Sequence, residues 1–401
     1  MTTATSTDSA SPKPIGVYVH FPYCLKKCPY CDFASYTTPR DDVPHGRYAD
    51  AVLAELRQRK GELAPRHRLS SIFFGGGTPS LWDPAELGRV VAGVLAAFSD
   101  RADEVEITAE CNPTSLDEAR AAGLYQQGVN RLSIGIQSLD EQRLGFLGRL
   151  HGAEDGLRAV RDARRAGFRR ISGDLIFAVE GGRAQKPKEA ADEAARLADE
   201  GLDHVSAYGL TIEPGTRFGE LHRKGRLPVA SDDTIVESFF AVETALERAG
   251  LRHYEISNYA RPGEEARHNL GYWNGHDYLG LGAAAVGTLS AGDQSAVRKK
   301  NHADPGRYMS LALKGENAPA EEEALDPETR LRERIMLGLR LEDGIDLGGA
   351  GRALGVEAFT TERRQVIEKL LARGHLLVDG EVVRVTKAAR ALTDGIAAAL
   401  F

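Results

Sequence analysis

The sequence predicts an α/β fold: a partial (β/α) TIM-like barrel followed by a small helical, winged-helix-like C-terminal domain. Strand-like and helix-like segments alternate between residues 15 and 249, which is typical of βαβ units and a parallel sheet. Right-handed crossovers curl about six such units into a barrel or part of one, with the strand ends on one rim. Beyond residue 325, helix-like segments lead into a hairpin signal, and 401 residues leave room for both domains.

The elements of the predicted barrel follow in chain order. Its strands show alternating or apolar patterns and cover 15–20, 69–74, 104–109, 130–136, 170–176 and 204–212. Its helices repeat apolar residues at helical spacing and cover 47–60, 84–98, 116–127, 153–166, 187–200 and 231–249. Asp83 precedes Pro84, and we expect it to cap the second helix.

The rest of the chain divides by composition. Residues 1–14 hold Thr, Ser, Ala and Pro without an apolar run, so we expect a disordered tail and not a secretory signal. Residues 15–300 form the barrel with an extension, residues 301–324 predict a linker, and residues 325–401 form the C-terminal domain. In that domain we expect helices at 327–341, 347–354 and 361–373, then a hairpin of 375–378 and 381–385 that turns across Asp379-Gly380.

Charge and hydropathy limit the partners. The net charge of -7 argues against a polyanion as the main partner. The third helix of the C-terminal domain is of mixed charge, with Arg363, Arg364, Lys369 and Arg373 set against Glu362 and Glu368. We therefore expect a lid or docking surface and no nucleic acid. No segment reaches the ~18 consecutive apolar residues of a membrane span, which leaves peripheral membrane contact open.

Three of the four cysteines lie in one loop after the first predicted strand. Cys24, Cys28 and Cys31 have the spacing C-x3-C-x2-C. Thiolates three or four residues apart can reach adjacent corners of a [4Fe-4S] cube and leave the fourth iron open. A structural zinc site or buried thiols are the alternatives, although zinc would need a fourth Cys or His at compatible spacing. The few cysteines indicate a reducing compartment, and we expect a cytoplasmic protein.

Polar residues follow several of the predicted strands. A glycine run, residues 75–77, ends the second strand, where it would let a ligand approach the backbone, although such a run is usually a turn. Glu110, Gln137 and Asp174 come near the ends of later strands, a position that is often a cap or turn. Because strand ends share one rim, we expect these groups to converge on the cysteine loop.

The cysteine loop and the glycine run together resemble the signature of the radical S-adenosylmethionine superfamily. In that family the open iron binds the amino and carboxylate groups of S-adenosylmethionine, and an electron from the cluster can break the carbon–sulfur bond. The resemblance implies a barrel of the radical S-adenosylmethionine type. It also implies cofactor contacts at Tyr18, Tyr30, Gly76, Gly77, Thr78, Glu110, Gln137, Arg149 and Asp174. Carboxylates and an amide suit ribose hydroxyls and an ammonium, and an arginine fork suits a carboxylate.

Within the superfamily, residues 204–216 resemble the coproporphyrinogen III dehydrogenases and their relatives. True oxygen-independent dehydrogenases carry a fourth cysteine two residues past the third, and here that position is Phe33. Phe33 and the H-N-x-x-Y-W run at residues 268–273 instead resemble the haem chaperone branch. After Asp174, relatives usually carry Gly-Leu-Pro, whereas this chain has residues 178–182 as Ala-Val-Glu-Gly-Gly.

The resemblance to that branch implies haem near His268, Asn269, Tyr272 and Trp273. Imidazole is a common axial ligand of haem iron, and the two aromatic rings could supply flat apolar surface. A lone histidine with nearby aromatics is nevertheless more often a hydrogen-bonded core residue, and both interpretations stay open. The basic run at residues 298–300 could meet haem propionates, but a short charge run is usually solvated surface.

The leading hypothesis is a haem chaperone that holds a [4Fe-4S] cluster with exchangeable S-adenosylmethionine and transfers haem to an acceptor protein. The alternative is an oxygen-independent coproporphyrinogen III dehydrogenase, an enzyme of porphyrin biosynthesis that uses a deoxyadenosyl radical for oxidative decarboxylation. Phe33 weighs against this activity. A third hypothesis, a winged-helix regulator that senses redox state through its cluster, predicts cluster-dependent DNA binding.

Overall fold

A computed structural model describes residues 12–63, 67–181, 183–291, 294–316 and 319–401. Its centre is a 12-stranded sheet with the order β14-β13-β12-β11-β1-β4-β5-β6-β7-β8-β10-β9. The first strands in chain order are β1 Lys13–Phe21, β2 Tyr23–Cys24, β3 Tyr36–Thr37, β4 His67–Gly76, β5 Asp100–Cys111, β6 Arg131–Gln137, β7 Arg170–Phe177 and β8 His204–Gly209. The later ones are β9 Arg252–Glu255, β10 Asn258–Ala260, β11 Asp277–Leu281, β12 Val286–Ala291, β13 Ser295–Lys300 and β14 Glu321–Leu325.

The run from β11 through β1 and β4 to β8 is parallel throughout. The pairs at both edges of the sheet are antiparallel. Within the described residues the two edges do not pair with each other, so the barrel is open. The predicted α/β fold with a parallel sheet is therefore confirmed, and the antiparallel extensions are additions that the sequence did not indicate.

Helices connect the strands. They are α1 His45–Arg59, α2 Pro84–Ala97, α3 Glu118–Gln126, α4 Glu141–Phe146, α5 Ala153–Arg165, α6 Pro187–Asp199, α7 Arg217–Arg223, α8 Asp232–Arg248, α9 Arg267–Trp273 and α10 Pro305–Lys314. The predicted cap of α2 is confirmed, because Asp83 accepts hydrogen bonds from the amides of Ala85 and Glu86 at 2.9 and 3.3 Å.

The core lies between the sheet and these helices. On β1, Ile15, Val17 and Val19 are fully buried. Strands covered on both faces are near-continuous in apolar residues, which explains the apolar runs of the sequence. Of the predicted tail, residues 1–11 lie outside the described part of the chain, and Lys13 begins β1.

The predicted linker contains regular structure. Residues 301–324 include α10 and most of β14, which pairs antiparallel with β13. The acidic start of β14 lies opposite the basic end of β13, where Lys300 bonds Glu321 at 3.1 Å and Lys299 faces Glu322 at 3.9 Å. Cross-strand charge pairs of this kind stabilise a sheet, and their partners are too far apart in sequence to be seen from composition.

The C-terminal domain has its own apolar core. Its elements are α11 Pro327–Gly338, β15 Ile345–Asp346, α12 Leu347–Leu354, α13 Thr361–Ala372, β16 Leu376–Asp379, β17 Val382–Val385 and α14 Thr393–Ala399. The order β15-β17-β16 agrees with the predicted winged-helix arrangement. Asp379 pairs with Val382, so the hairpin turns across Gly380 and Glu381, one residue later than predicted. No helix in the described part of the chain is long and apolar enough to cross a membrane.

Candidate functional site

The cysteine loop follows β1 at the carboxyl end of the parallel strands. Its start, β2, pairs with β3 and closes the loop on itself. Cys24 is buried, and its sulfur accepts a hydrogen bond from the Thr78 hydroxyl at 3.3 Å. The Cys31 amide donates to the Cys28 carbonyl at 3.2 Å. All three thiols line one cavity of about 160 Å³, here called the cysteine cavity.

The glycine run packs directly beneath this loop. Gly76 has φ of +105°, and a Cβ there would come within 2.4 Å of the His20 ring. A Cβ at Gly77 would come within 2.8 Å of the Phe21 carbonyl oxygen, to which the Gly77 amide donates at 2.7 Å. The absence of side chains in the run therefore lets the cysteine loop pack against the end of β4. This role is additional to the predicted one, which is to let a ligand approach the backbone.

Carboxylates from two strand ends enter the cysteine cavity. Glu110 accepts a hydrogen bond from the Gly76 amide at 3.1 Å. Asp174 accepts one from the Ser133 hydroxyl at 3.0 Å. Burial raises the pKa of Glu110 to about 8, with repulsion from Asp174 as a further cause. Burial also raises the pKa of Asp174 to about 6. The pair favours a bound cation, which would lower both pKa values.

Arg149 provides the positive charge of the same cavity. One of its nitrogens donates to the Gly135 carbonyl at 2.8 Å, and another to the Cys28 sulfur at 3.5 Å. Burial disfavours its charge, yet Tyr30 and Cys28 raise the pKa of the guanidinium above its usual value. Burial raises the pKa of the Cys24 and Cys31 thiols. The charge of Arg149 opposes this shift at Cys24 and so favours the thiolate that metal binding requires.

The predicted cofactor positions other than Tyr18 all line the cysteine cavity. Gln137 is among them, and its φ of +70° is unusual for a residue with a side chain, a strain that often marks functional sites. Tyr18 lies behind the glycine run, where its hydroxyl bonds the Nδ1 atom of His20 at 3.0 Å and its ring stacks on Phe73. Tyr18 lines a second cavity instead.

The donor set fits the groups that the sequence implies. Among the described residues, no three His, Cys, Asp or Glu side chains converge closely enough to hold a single ion. The three thiols nevertheless line one cavity, and thiolates that share one loop suit the corners of a multi-iron cube. The buried carboxylates suit the cationic S-adenosylmethionine.

The second cavity, of about 760 Å³, lies between the barrel and α11. We call it the aromatic cavity. Its aromatic lining comes from Tyr18, Phe33, Tyr272, Trp273 and Tyr278, and its basic lining from His20, His276, Arg298, Arg330 and Arg334. Phe33 lines both cavities and is 55% exposed, so the residue at the position of the dehydrogenases' fourth cysteine stands between them.

His268 is a core residue. It is 2% exposed and stacks on Phe73 with ring centroids 5.0 Å apart. Its Nδ1 atom bonds the Ser71 hydroxyl at 2.8 Å, and its Nε2 atom bonds the Tyr272 hydroxyl at 2.9 Å. Burial lowers its pKa to about 3. Both ring nitrogens are therefore engaged, so His268 is hydrogen-bonded within the core here, and its axial role stays a prediction.

The other residues of this motif have different positions. Tyr272 and Trp273 line the aromatic cavity, whereas Asn269 is half-buried and does not. The sequence did not single out Arg330 and Arg334 of α11, which line the same cavity. In the sequence, only their spacing of four residues on a predicted helix could have indicated that they line a common site. The same spacing is equally typical of a solvent-exposed helix face.

Comparison with known proteins extends this description. The family model of the radical SAM superfamily matches residues 18–194, and that of the HemN C-terminal domain matches residues 325–392. The "Heme chaperone HemW" of Mycobacterium tuberculosis (strain ATCC 25618 / H37Rv) is 34% identical over 96% of this chain and 94% of the relative. That of Escherichia coli (strain K12) is 37% identical over 74% of this chain and 76% of the relative.

Two further similarities span nearly the whole chain. The mitochondrial "Radical S-adenosyl methionine domain-containing protein 1" of Mus musculus is 34% identical over 98% of this chain and 88% of the relative. The solved structure of "Coproporphyrinogen III oxidase (HemN) from Escherichia coli" covers 97% of this chain and 90% of its own with a TM-score of 0.79. Its sequence identity is 22%, so it supports the fold alone.

Proposed function

The chain belongs to the radical S-adenosylmethionine superfamily and, within it, to the HemW-like proteins, and from this premise we propose that it is a haem chaperone. In this proposal it binds haem, holds a [4Fe-4S] cluster with exchangeable S-adenosylmethionine, and transfers haem to an acceptor protein. The supporting observation is that the cysteine cavity adjoins a second, aromatic cavity. Its volume of about 760 Å³ is within the range of cofactor sites.

The residues of the cysteine cavity have separate roles in this proposal. Cys24, Cys28 and Cys31 would hold the cluster, which when bound supplies an electron source beside the cofactor. Glu110 and Asp174 would bind the cationic part of S-adenosylmethionine, because two buried carboxylates gain most from a neighbouring positive charge.

The coproporphyrinogen III dehydrogenase alternative has less support. The likeness to the HemN structure concerns the fold. Phe33 occupies the position of the dehydrogenases' fourth cysteine, and its exposed ring reaches both cavities. An apolar ring at this boundary suits a bound porphyrin face.

We also propose that the protein is cytoplasmic and that its partners are an acceptor protein and, peripherally, the membrane surface. We propose that nucleic acid is not a partner. The third helix of the winged domain supports the last of these. Arg363 is 4% exposed and donates to the carbonyls of Leu400 and Ala358, each at 2.8 Å, and to Glu328. It therefore stabilises the domain internally and is not available to a phosphate backbone.

An anaerobic haem titration of cluster-reconstituted protein, followed by absorbance, tests the proposal. We expect saturable binding and subsequent transfer of haem to apomyoglobin, used as a generic acceptor. Coproporphyrinogen III with S-adenosylmethionine and a reductant is the parallel assay, in which we expect no conversion. Conversion without saturable haem binding would establish the dehydrogenase instead.

A further inference from the structure

Aromatic rings line one side of the aromatic cavity. Tyr272 and Tyr278 pack edge to face with ring centroids 4.7 Å apart, and Trp273 lies beside them. Met336 and Leu337 of α11 also line this cavity. Such walls suit a flat, largely apolar ligand.

The same cavity also holds an arginine without a counter-ion. The side chain of Arg334 makes no hydrogen bond or ion pair with any residue in the described part of the chain. Burial lowers the pKa of its guanidinium, and the positive charge of Arg330 lowers it further. Asp277 attracts both arginines, but its carboxylate is already bonded to His67 and Ser290. An unpaired, partly buried cation costs stability that a bound anion would recover.

Arg330 lies one helical turn before Arg334. It donates to the carbonyls of Gln294 and Ser295 at 2.6 and 2.9 Å and to the Ser290 hydroxyl at 3.0 Å. No described carboxylate lies within ion-pair distance of it, although Asp277 and Glu333 attract its charge. Like charges four residues apart on a helix repel each other, and an anion from outside the chain would relieve that repulsion.

Arg298, the third arginine of the cavity, is different. It pairs with Glu323 at 3.2 Å and Glu333 at 2.7 Å. Its charge is thus already neutralised by two carboxylates of the chain, which leaves it less available to a propionate.

Two histidines line the cavity, and they differ in their free nitrogens. His20 has both ring nitrogens engaged, with the Tyr18 hydroxyl at 3.0 Å and the Ala34 carbonyl at 2.9 Å. The ring of His276 forms no hydrogen bond with a described residue. Burial lowers the pKa of His276, which favours the neutral imidazole that binds haem iron.

We propose that the aromatic cavity binds haem with Arg330 and Arg334 on its propionate carboxylates and the imidazole of His276 on its iron. This inference rests on the proposed haem chaperone function and places the site within it. It assigns iron ligation to a cavity residue in place of the buried His268.

The first experiment compares haem with its dimethyl ester, which lacks the carboxylate charges. Both are titrated anaerobically into the cluster-reconstituted full chain. We expect the ester to bind about tenfold more weakly than haem. Arg334→Gln should weaken haem about tenfold and leave the ester unchanged. Arg332→Gln is the matched control, since Arg332 lies on the same helix, is exposed and pairs with Glu328.

Arg330→Gln is a second variant with the same expectation, checked first for folding because it loses three hydrogen bonds. His276→Ala should shift the Soret band of bound haem and leave the affinity for metal-free protoporphyrin IX unchanged. His268→Ala should leave the Soret maximum in place.

The outcomes separate the inference from the proposed function. If wild type binds haem and its ester equally, or Arg334→Gln weakens both to the same degree, the carboxylate assignment is wrong while the chaperone proposal stands. A Soret band that responds to His268→Ala and not to His276→Ala overturns the iron assignment. If wild type shows no saturable haem binding, the chaperone proposal fails and this inference fails with it.

Discussion

Ala178 follows β7 with φ of +59°, a left-handed conformation that disfavours any residue with a Cβ. It is 4% exposed and begins the segment where similar proteins carry Gly-Leu-Pro. The departure from that pattern thus places an alanine where the backbone conformation suits glycine. The strained backbone of Ala178 therefore lies on the same strand connection as Asp174 of β7, which lines the cysteine cavity.

Ala178→Gly should therefore stabilise the protein by roughly 0.5 kcal/mol, because relief of the left-handed strain slightly exceeds the added chain entropy of the unfolded state. Ala207→Gly, at a buried position of β8, should instead destabilise by about 1 kcal/mol. Thermal unfolding of the two variants checks this, and equal losses of stability would contradict a left-handed Ala178.

Glu110 predicts a pH dependence. Its pKa is raised from 4.5 to about 8 in the folded chain, so between these values the unfolded chain releases a proton that the folded chain retains. In the cofactor-free protein, the contribution of Glu110 to the free energy of unfolding is therefore fully present below pH 4.5. It is lost as the pH rises to 8, by up to about 1.4 kcal/mol per pH unit.

Glu110→Gln should flatten that slope, leaving the weaker contribution of Asp174, whose pKa is about 6. Unfolding midpoints at pH 5.5 and 8 measure it, with Glu104→Gln at an exposed position as the control. Identical slopes in wild type and Glu110→Gln would show that the carboxyl ionises freely in the folded state.

At the scale of elements, the carboxyl end of β4 and the cysteine loop form one unit. His20 is held by hydrogen bonds to Tyr18 and Ala34 and cannot easily yield to a new neighbour. The ring lies where a Cβ on Gly76 would point, so the loop and the strand end fit only when that position is glycine.

Gly76→Ala should displace the cysteine loop and destabilise the chain by more than ~2 kcal/mol, because the strained φ and the steric clash add together. We expect less than half of the wild-type iron content after reconstitution, measured with the thermal midpoint. Gly61→Ala is the control, since a Cβ at that glycine meets nothing within 4 Å. Wild-type iron loading of Gly76→Ala would contradict this packing.

At the scale of the whole molecule, the C-terminal domain forms a wall of the aromatic cavity through α11. A buried ion pair fixes the domain to the barrel: Arg390 bonds Glu243 of α8 at 2.7 Å, and Glu243 is fully buried. Arg390 also bonds Glu342, and Lys387 pairs with Glu243 at 2.7 Å. The geometry of the cavity therefore depends on this interface.

Arg390→Met should destabilise the interface by about 3 kcal/mol, since it leaves the Glu243 carboxylate buried with only one remaining partner. The double variant Glu243→Gln with Arg390→Met should recover part of that loss, because no buried charge is then unpaired. Limited proteolysis between the domains measures both. Equal cleavage of wild type and Arg390→Met would show that the pair does not hold the domains together.

Local sequence determined the parts of this protein whose partners are close in the chain. Cys24, Cys28 and Cys31 lie within one loop, and strand and helix periodicity repeats over a few residues, so both could be read directly. The convergence of Glu110, Gln137 and Asp174 followed from the rule that parallel strand ends share a rim, and they line one cavity.

The remaining features depend on contacts between distant parts of the chain. The sequence motif at His268 is compatible with a ligand or a core residue, and only the folded chain shows that its ring bonds Ser71, far away in the chain, as well as Tyr272. Similarly, β14 forms by pairing with β13 within the predicted linker, and Arg334 of α11 lines a cavity together with aromatic residues of the barrel. Such contacts join residues that are distant in sequence, and local propensity and spacing carry no information about which distant surfaces will meet.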